Sequence, residues 1–467
     1  MKRKPTLFES ISCFVVLAIV IGAGFGYFEI PIQPLLLISA AYAAFIAHRV
    51  GLTWEDMEKG IVTRLNTAMP AIFIIFAVGV IVGTWIYSGT VPMLINYGLL
   101  IIDPRYFLVT AFIITAIVSV ATGTAWGSSA TAGVALMGIA VEMNLPLGIT
   151  AGAIISGAIF GDKLSPLSDT TNLAPLVVGV DLYDHIKHML WTTIPATIVG
   201  MIVWFVVGLG FEPDSTSGDS VGGLTAELSS IFNWNIFMLL PFVIILWGAF
   251  AKKPIVPIML LSSVVAVFIG VFSNGFSFVD GITSMANGFS VDMVASNSDF
   301  SETVNSLLNR GGIFSMVTIV VTIFCGYAFA GIVEAAGCLD RILEAFTKMV
   351  QSTWQIIGST IIGSILIVFT AGVASISIIM VGVLMKDAYV KKGLDPLNLS
   401  RTLEDAGTMI LGFVPWGVSA IYYLEVLGVG VGDYWMWAVP CYLCIVFAMI
   451  YAITGIGIKK IDPEESK

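Results

Sequence analysis

Long apolar segments alternate with short polar stretches along the whole chain. An apolar run of about 20 residues is long enough to cross a bilayer as a helix. Such runs lie near residues 11–27, 32–48, 69–87, 106–121, 189–209, 236–250, 255–272, 313–333, 356–370 and 435–456. Together with two further segments that polar residues interrupt, they predict an all-α polytopic membrane protein with about 11–12 transmembrane helices.

The most polar interruption, GAIFGDKLSPLSDTTNLAP, covers residues 157–175. In hydrocarbon every backbone N–H and C=O needs a partner, so such a run must be buried in protein or line a cavity. Pro166 disfavours a regular helix here, and we predict a broken helix over residues 147–180. Oxygen atoms arranged in this way suit a hard cation such as Na⁺. The predicted ion ligands are Asp162, Asp169, Ser165, Ser168, Thr170, Thr171 and Asn172.

A carboxylate in this segment could couple a cation to a proton. A carboxyl group whose pKa has been raised by burial can hold either ion, and competition for one such group is the simplest mechanism of cation/proton antiport. The alternative for Asp162 is an ion pair with Lys163 or Lys386. Lys163 is either a counter-charge that moves during transport or a lysine whose ammonium group reaches the membrane interface.

Two other segments, residues 122–142 and 371–391, begin with Gly, Ala, Ser and Thr. Each is either a helix that packs through small residues or a re-entrant hairpin whose polar tip reaches the middle of the membrane. The short turn 142–146 leads directly into another apolar segment and favours the hairpin.

A second broken helix is predicted over residues 397–427, where Arg401, Glu404 and Asp405 precede a break near Pro415. Arg401 and Asp405 are four residues apart and could form a local ion pair. The functional interpretation makes Asp405 the counterpart of the first-half site and Arg401 a contact for an anion.

These features recur at an offset of about 250 residues and divide the chain into two halves. We predict a first half at 1–210, a polar linker at 211–232 and a second half at 233–467. Broken segments at matching places in two halves indicate the binding site of a transporter. Basic residues at Lys2–Lys4, Arg49–Arg64 and Lys459–Lys460 predict a cytoplasmic N-terminus. The distribution of charge favours an inverted second half, whereas a simple count of the spans gives the opposite parity.

Composition agrees with a membrane protein and argues against other classes. The chain is 57% hydrophobic and 11% charged, whereas soluble domains carry about 25% charged residues. Its five cysteines lack the spacing of a metal site, and its net charge of −10 comes without a basic patch for nucleic acid. We see no nucleophile–base pair or cofactor motif and therefore predict no enzyme and no cofactor. An ion channel, the rival interpretation, would need rings of charges or carbonyls around a pore.

Three motifs resemble the NhaC-type Na⁺/H⁺ antiporters, a family that includes malate-proton/sodium-lactate antiporters. They are GDKLSPLSDTTNLAP at 161–175, GTAWGSSATAGVALMGIA at 123–140 and RTLEDAGT at 401–408, and the resemblance covers essentially the whole chain. It implies inverted repeats, two re-entrant hairpins and hairpin tips that bind Na⁺. The corresponding tip residues here are Thr124, Ser128, Ser129, Thr131, Ser375 and Ser377.

The resemblance implies a bacterial inner-membrane antiporter that exports Na⁺ in exchange for H⁺ by alternating access and serves pH homeostasis. Asp162 and Asp169 would bind Na⁺. In the malate/lactate variant, Arg401 or Lys163 would neutralise a carboxylate of the substrate. The expected partners are the lipid bilayer, Na⁺, H⁺ and, in that variant, malate and lactate. The family resembled here belongs to the wider ion-transporter superfamily, and a homodimer is expected by analogy with that superfamily.

Overall fold

The computed structural model describes residues 3–25, 27, 28, 30–101, 103–211, 225–251, 253–293, 300–347 and 352–461. Within these ranges the chain is helical, and one antiparallel bridge, between Leu394 and Lys460, is its only strand-like pairing. Most of the predicted polar linker, residues 212–224, lies outside the described residues.

The helices of the first half are α1 (Leu7–Gly24), α2 (Ile32–Arg49), α3 (Trp54–Tyr87), α4 (Thr90–Ile101), α5 (Phe107–Thr122), α6 (Ala125–Ser128), α7 (Val134–Glu142), α8 (Leu147–Leu164), α9 (Asp169–Val178) and α10 (Leu182–Gly208). A π-helical turn, Ser129–Gly133, joins α6 to α7. Helix α11 (Thr225–Ile231) follows the linker.

The helices of the second half are α12 (Leu240–Phe250), α13 (Ile255–Asn274), α14 (Phe278–Asn287), α15 (Glu302–Leu308), α16 (Val317–Ala335), α17 (Cys338–Thr347), α18 (Thr353–Ala371), α19 (Ala374–Lys391), α20 (Pro396–Leu403), α21 (Val418–Leu427), α22 (Val431–Tyr434) and α23 (Val439–Thr454). A second π-helical segment, Glu404–Thr408, continues α20.

The prediction of a polytopic helical protein is confirmed, but fewer helices than predicted are long enough to cross a membrane. In the described part of the chain eight helices meet the criteria of length and apolar composition, or up to ten if each of two bent pairs counts as one span. The prediction of 11–12 spans also counted two shorter apolar helices, Pro104–Val120 and Val439–Thr454. The predicted runs were residues 106–121 and 435–456, whereas the helices are Pro104–Val120 and Val439–Thr454, at or below the lower limit of the length that crosses a bilayer.

Two hydrogen bonds show which helix ends lie together. The Arg3 N–H donates to the Val50 carbonyl at 2.9 Å, so α1 begins and α2 ends on one side, which we call the N-terminal face. The Tyr87 hydroxyl donates to the Ser277 carbonyl at 2.6 Å, which places the ends of α3 and α13 together on the opposite face. Helix α3 can join the two faces because its 34 residues extend over about 50 Å.

Local backbone conformations recur at a spacing of 249 residues. Gly123 and Gly372 have φ of 67° and 69°, and each is followed by an extended residue, Thr124 and Val373. Positive φ is accessible to glycine without strain, so each glycine turns the chain back on itself. The turns make two helical hairpins, one of α5 with α6–α7 and one of α18 with α19.

These hairpins differ in detail from the predicted segments. Each turn lies near the start of its predicted segment, 122–142 or 371–391, and the residues after the turn form a helical run instead of a second hairpin. The re-entrant position of the hairpins in a bilayer stays a prediction.

Both predicted broken helices are interrupted in the structure. Helices α8 and α9 are separated by residues 165–168, and the helix that contains α20 is bent by 47° against α21 at residues 414–417. These two breaks are also 249 positions apart. Gly and Pro residues interrupt the helices because they favour turns and remove backbone donors.

Helices α3 and α16 cross in opposite directions. The Gly312 N–H donates to the Gly79 carbonyl at 2.7 Å near one end of the crossing. At the other end Gly60 and Gly331 touch, since a Cβ on Gly60 would lie 2.6 Å from the Gly331 carbonyl oxygen. The two helices correspond at the spacing of 249 residues. Their opposite directions support inverted repeats, although the boundaries of the two halves stay a prediction.

The first hairpin is held against α8 by a close contact at Gly161. A Cβ at this position would lie 2.4 Å from the Ala116 carbonyl oxygen and 2.7 Å from the Val120 backbone nitrogen. We therefore expect Gly161→Ala to lower the free energy of unfolding by about 1–3 kcal/mol, because overpacking pushes two helices apart. The measurement is the thermal unfolding temperature of the purified protein.

Gly22→Ala is the matched control for this prediction. Gly22 is exposed in α1, and a Cβ there meets no described neighbouring group within 4 Å. This variant should unfold at the wild-type temperature or slightly above it, because alanine has the higher helix propensity. An equal fall in both variants would show that the contact at Gly161 is not tight.

Candidate functional site

A buried ion pair joins the two broken helices. Lys163, in the last turn of α8, contacts Oδ1 of Asp405 in the second π-helical segment, and both side chains are 0% exposed. Thr192 of α10 donates a hydrogen bond to the same oxygen at 2.9 Å. Charges removed so completely from water need partners, so this ion pair holds the two halves in contact.

The π-helical segment places two carboxylates next to each other beside this ion pair. Its wide turn is closed by a hydrogen bond from the Met409 N–H to the Glu404 carbonyl at 3.2 Å, and π turns are frequent at functional sites. Glu404 is fully buried, and neither of its carboxylate oxygens has a hydrogen-bond partner. Oδ2 of Asp405 and the hydroxyl of Thr408 are also unpartnered. Buried polar atoms are normally hydrogen-bonded, so these oxygens could hold a cation or a proton.

Asp162 adds a third carboxylate at the end of α8. Its Oδ1 atom is buried without a hydrogen-bond partner, although the whole side chain is only half-buried. Its charge interacts with those of Asp169 and Glu404. Asp162 therefore lies where the first break approaches the π-helical segment of the second half.

Arg401 adds a second buried cation. Its side chain is 0% exposed, and Nη1 donates to the Gly457 carbonyl at 2.9 Å, while Nε and Nη2 lack partners. We call Asp162, Lys163, Arg401, Glu404 and Asp405 the polar cluster. It holds three carboxylates and two cations, so one monovalent cation or one proton would neutralise its formal charge.

Two of the predicted hydroxyl ligands hold the first break in place. Thr171 Oγ1 donates to the carbonyls of Asp162 and Lys163 at 3.2 and 3.0 Å. Ser165 Oγ donates to the Val120 carbonyl of α5 at 2.8 Å. These bonds satisfy carbonyls that the end of a helix leaves without intrahelical donors.

Of the other predicted ligands of the break, Ser168 and Thr170 are buried, whereas Asp169 and Asn172 are exposed. Asn172 donates to the carbonyls of Pro166 and Ser168 at 2.8 and 2.6 Å, and the hydroxyls of Ser168 and Thr170 are 3.3 Å apart. Asp169 is exposed, and its Oδ1 accepts from the Thr170 N–H at 2.9 Å. A shared Na⁺ at Asp162 and Asp169 stays a prediction.

The hydroxyls of the first hairpin bond within their own helix. Ser128 and Ser129 donate to the Ala125 carbonyl at 3.0 and 2.8 Å, and Thr131 donates to the Gly127 carbonyl at 2.8 Å. Thr124 accepts from the Gly127 N–H at 3.4 Å. These residues shape the hairpin in the conformation described here, and their part in Na⁺ binding stays a prediction.

The second hairpin reaches the polar cluster more directly. Ser377 Oγ donates to the Ser364 carbonyl at 3.2 Å and lies 3.7 Å from where a Cβ on Gly407 would be. Gly407 belongs to the π-helical segment, so Ser377 packs against the segment that carries Glu404 and Asp405. Ser375, also predicted as a ligand, is half-buried on the same helix.

Some sequence-based interpretations need correction. Lys163 is paired with Asp405, so neither the pair of Asp162 with Lys163 nor the local pair of Arg401 with Asp405 is the main contact. At the spacing of 249 residues Asp405 aligns with Ser156 and Asp162 with Leu411, and the role of Asp405 as the counterpart of the first-half site stays a prediction. Residues that share a cluster across two halves need not share a repeat position.

Glu404 and Thr192 are site residues that the set predicted from sequence did not include. The signal for Glu404 was present, because two adjacent carboxylates in an apolar segment are costly without a function. No local signal marks Thr192, which lies in an ordinary apolar helix. In the described residues no three His, Cys, Asp or Glu side chains come close enough to hold a metal ion. A Na⁺ bound in this conformation would therefore also need hydroxyl or carbonyl ligands.

Comparison with known proteins identifies the family of the chain. A family model described as "Na+/H+ antiporter family" matches residues 157–456, which include both breaks and the polar cluster. An uncharacterized Na⁺/H⁺ antiporter of Haemophilus influenzae is 42% identical over 98% of both chains.

Two further relatives have more specific descriptions. The malate-2H⁺/Na⁺-lactate antiporter of Bacillus subtilis is 37% identical over 97% of this chain and 96% of its own length. The Na⁺/H⁺ antiporter NhaC of Alkalihalophilus pseudofirmus is 35% identical over 98% of both chains. The family model covers most of the chain, and the relatives match it over nearly its full length at 35–42% identity. The chain therefore belongs to the Na⁺/H⁺ antiporter family.

Proposed function

We propose that the protein exchanges Na⁺ for H⁺ across a bacterial cell membrane by alternating access. The observation that carries the proposal is the polar cluster, in which unpartnered oxygens of Asp162 and Glu404 lie beside the buried pair of Lys163 and Asp405. Its family and its full-length relatives named as Na⁺/H⁺ antiporters support the same function.

The charge of the cluster provides a physical reason for coupling. With either Na⁺ or a proton bound, its formal charges cancel. With neither ion bound, one net negative charge remains in a region of low dielectric, which opposes movement of the site across the membrane. The site would therefore cross in a loaded state only, carrying Na⁺ in one direction and H⁺ in the other.

The two hairpins provide a structural basis for alternating access. The first hairpin begins near the opposite face, because Arg105, just before α5, contacts Gly208 at the end of α10. The second hairpin ends toward the N-terminal face, because residues 379–384 of α19 line the same cavity as Arg3 and Pro5. Inverted repeats of this kind allow one arrangement to open to each side in turn.

The distribution of basic residues supports a cytoplasmic N-terminal face. Four basic residues lie toward this face. Arg3 and Arg49 contact Glu9, Lys386 approaches Gly179, and Lys459 contacts Asp395. A surplus of Lys and Arg is typical of cytoplasmic loops. The homodimer stays a prediction.

The test uses the purified protein in liposomes with a trapped pH-sensitive dye. An imposed Na⁺ gradient alone should drive a proton flux in the opposite direction, and a K⁺ gradient of the same size should serve as the comparison. Passive Na⁺ movement without proton flux would contradict antiport and favour a channel.

A second candidate function is exchange of malate and protons for Na⁺ and lactate, and one observation favours it. The buried Arg401 has two unpartnered nitrogens, which suit a carboxylate. Under this function the proton flux should require malate on one side and lactate on the other. Arg401→Gln should then lower the carboxylate-dependent flux about tenfold or more, since a charged hydrogen bond contributes about 1.5–3 kcal/mol. A flux with Na⁺ alone that Arg401→Gln leaves unchanged would exclude this role.

A further inference from the structure

One face of α10 carries polar side chains between the polar cluster and the N-terminal face. His185, His188 and Thr192 are buried on this helix at spacings of three and four residues. Residues so spaced are neighbours on one helix face, with about 5–6 Å between their Cβ atoms. Thr192 bonds Asp405 of the polar cluster at 2.9 Å. Because α10 ends near the opposite face, the two histidines, which precede Thr192, lie on the N-terminal side of the polar cluster.

His185 has one ring nitrogen without a partner. Its side chain is 0% exposed, and its Nδ1 is 2.8 Å from Oγ of Ser400. The Ser400 hydroxyl donates to the Leu397 carbonyl at 3.0 Å, so its oxygen accepts from Nδ1–H of His185. Nε2 of His185 is then the basic nitrogen, and it is buried without a hydrogen-bond partner. Lys163 of the polar cluster is close enough for its charge to act on this ring.

His188 connects the interior with groups at the N-terminal face. It is 8% exposed, and its Nε2 is 3.3 Å from Oδ1 of Asn398. Asn398 donates through Nδ2 to the carbonyls of Asp395 and Lys459 at 2.8 and 2.6 Å, so its Oδ1 accepts from Nε2–H of His188. Lys459 and Asp395 form a partly exposed ion pair at 3.0 Å. The charges of this pair and of Arg401 act on the His188 ring.

We propose that His185 and His188 carry protons between the polar cluster and the N-terminal face. The inference rests on the proposed Na⁺/H⁺ exchange and names the path of its proton. Glu404 and Asp405 are 0% exposed, so a proton on either carboxyl group needs a route to water in this conformation.

The two ring nitrogens of an imidazole allow it to accept a proton on one side and release one on the other. A proton leaving a carboxyl group of the polar cluster binds Nε2 of His185 and then passes to Nδ1 of His188. His188 releases its Nε2 proton to the solvent, so both rings are neutral again and one proton has crossed.

The test compares two kinds of exchange in liposomes that contain the full-length protein. His185→Asn can still donate to Ser400, and His188→Gln can still donate to Asn398, but an amide does not take up a proton. Each variant should lower Na⁺-driven proton flux about a hundredfold, the lower end of what a positioned proton-transferring side chain contributes. Exchange of radioactive Na⁺ for Na⁺ moves no proton and should continue at the wild-type rate.

His48→Gln is the matched control, because His48 is the third histidine of the chain and is exposed on α2. It should show wild-type rates in both assays. Wild-type proton flux in His185→Asn and His188→Gln, or an equal loss of Na⁺/Na⁺ exchange in them, would overturn the relay. Each variant is judged by itself, so one that fails to fold leaves the other to decide. A wild type without Na⁺-driven proton flux would instead refute the proposed function, and the relay with it.

Discussion

Asp162→Asn will lower Na⁺-dependent proton flux about a hundredfold. The substitution keeps the shape of the side chain and removes one of the three carboxylates of the polar cluster, so the cluster no longer needs a cation or a proton to become neutral. A charge in the middle of a membrane is worth about 3 kcal/mol, which corresponds to a factor of about a hundred in Na⁺ binding. The measurement is the initial rate of the dye signal in liposomes under a fixed Na⁺ gradient.

Two companion variants make this result specific. Asp387→Asn removes an exposed carboxylate of α19 and should transport at the wild-type rate. Glu404→Gln should lower the flux as Asp162→Asn does, because both oxygens of Glu404 are buried without partners. Wild-type flux in Asp162→Asn, with loss in Glu404→Gln, would move the ion-binding role to Glu404. Wild-type flux in both would refute the proposed site.

Lys163→Met will destabilise the protein by about 3–5 kcal/mol, which is the cost expected when one partner of a buried ion pair is removed. Asp405, which is 0% exposed, would then have no cation in direct contact with its carboxylate. The expected readouts are a fall in the thermal unfolding temperature and loss of transport.

The double variant Lys163→Met with Asp405→Leu separates stability from function. Removing both charges takes away the uncompensated carboxylate, so much of the stability should return while transport remains absent. The matched control is Lys187→Met, which breaks the exposed pair of Lys187 with Asp184 at 3.8 Å and should cost less than about 1 kcal/mol. A Lys163→Met protein as stable as this control would show that the buried pair does not stabilise the fold.

Sequence alone was sufficient for the membrane class, the two breaks and the family. Every residue of a span must be compatible with hydrocarbon, so long apolar runs can be recognised without any knowledge of packing. The interruptions at residues 157–175 and near Pro415 are equally local, because proline and glycine act on their own stretch of backbone. The motif at 161–175 is long enough to indicate the family directly.

The sequence alone predicted only some of the residues that form the site. Asp162, Lys163, Arg401 and Asp405 were recognised because ionisable groups in apolar segments are conspicuous. The hydroxyls of the first break were expected to bind an ion, whereas Thr171 and Ser165 donate to backbone carbonyls in this structure. A hydroxyl can serve either purpose, and only the positions of neighbouring carbonyls decide which.

The pairing of the charges depended on tertiary structure. Lys163 meets Asp405, 242 residues away, because the end of α8, the π-helical segment and α10 pack together. The same packing buries the carboxylate oxygens of Glu404 without hydrogen-bond partners. Hydropathy and turn residues act locally and therefore determined the membrane spans and breaks. Contacts between distant charges arise only when helices from both halves enclose them, and so only the tertiary structure decided which groups form the polar cluster.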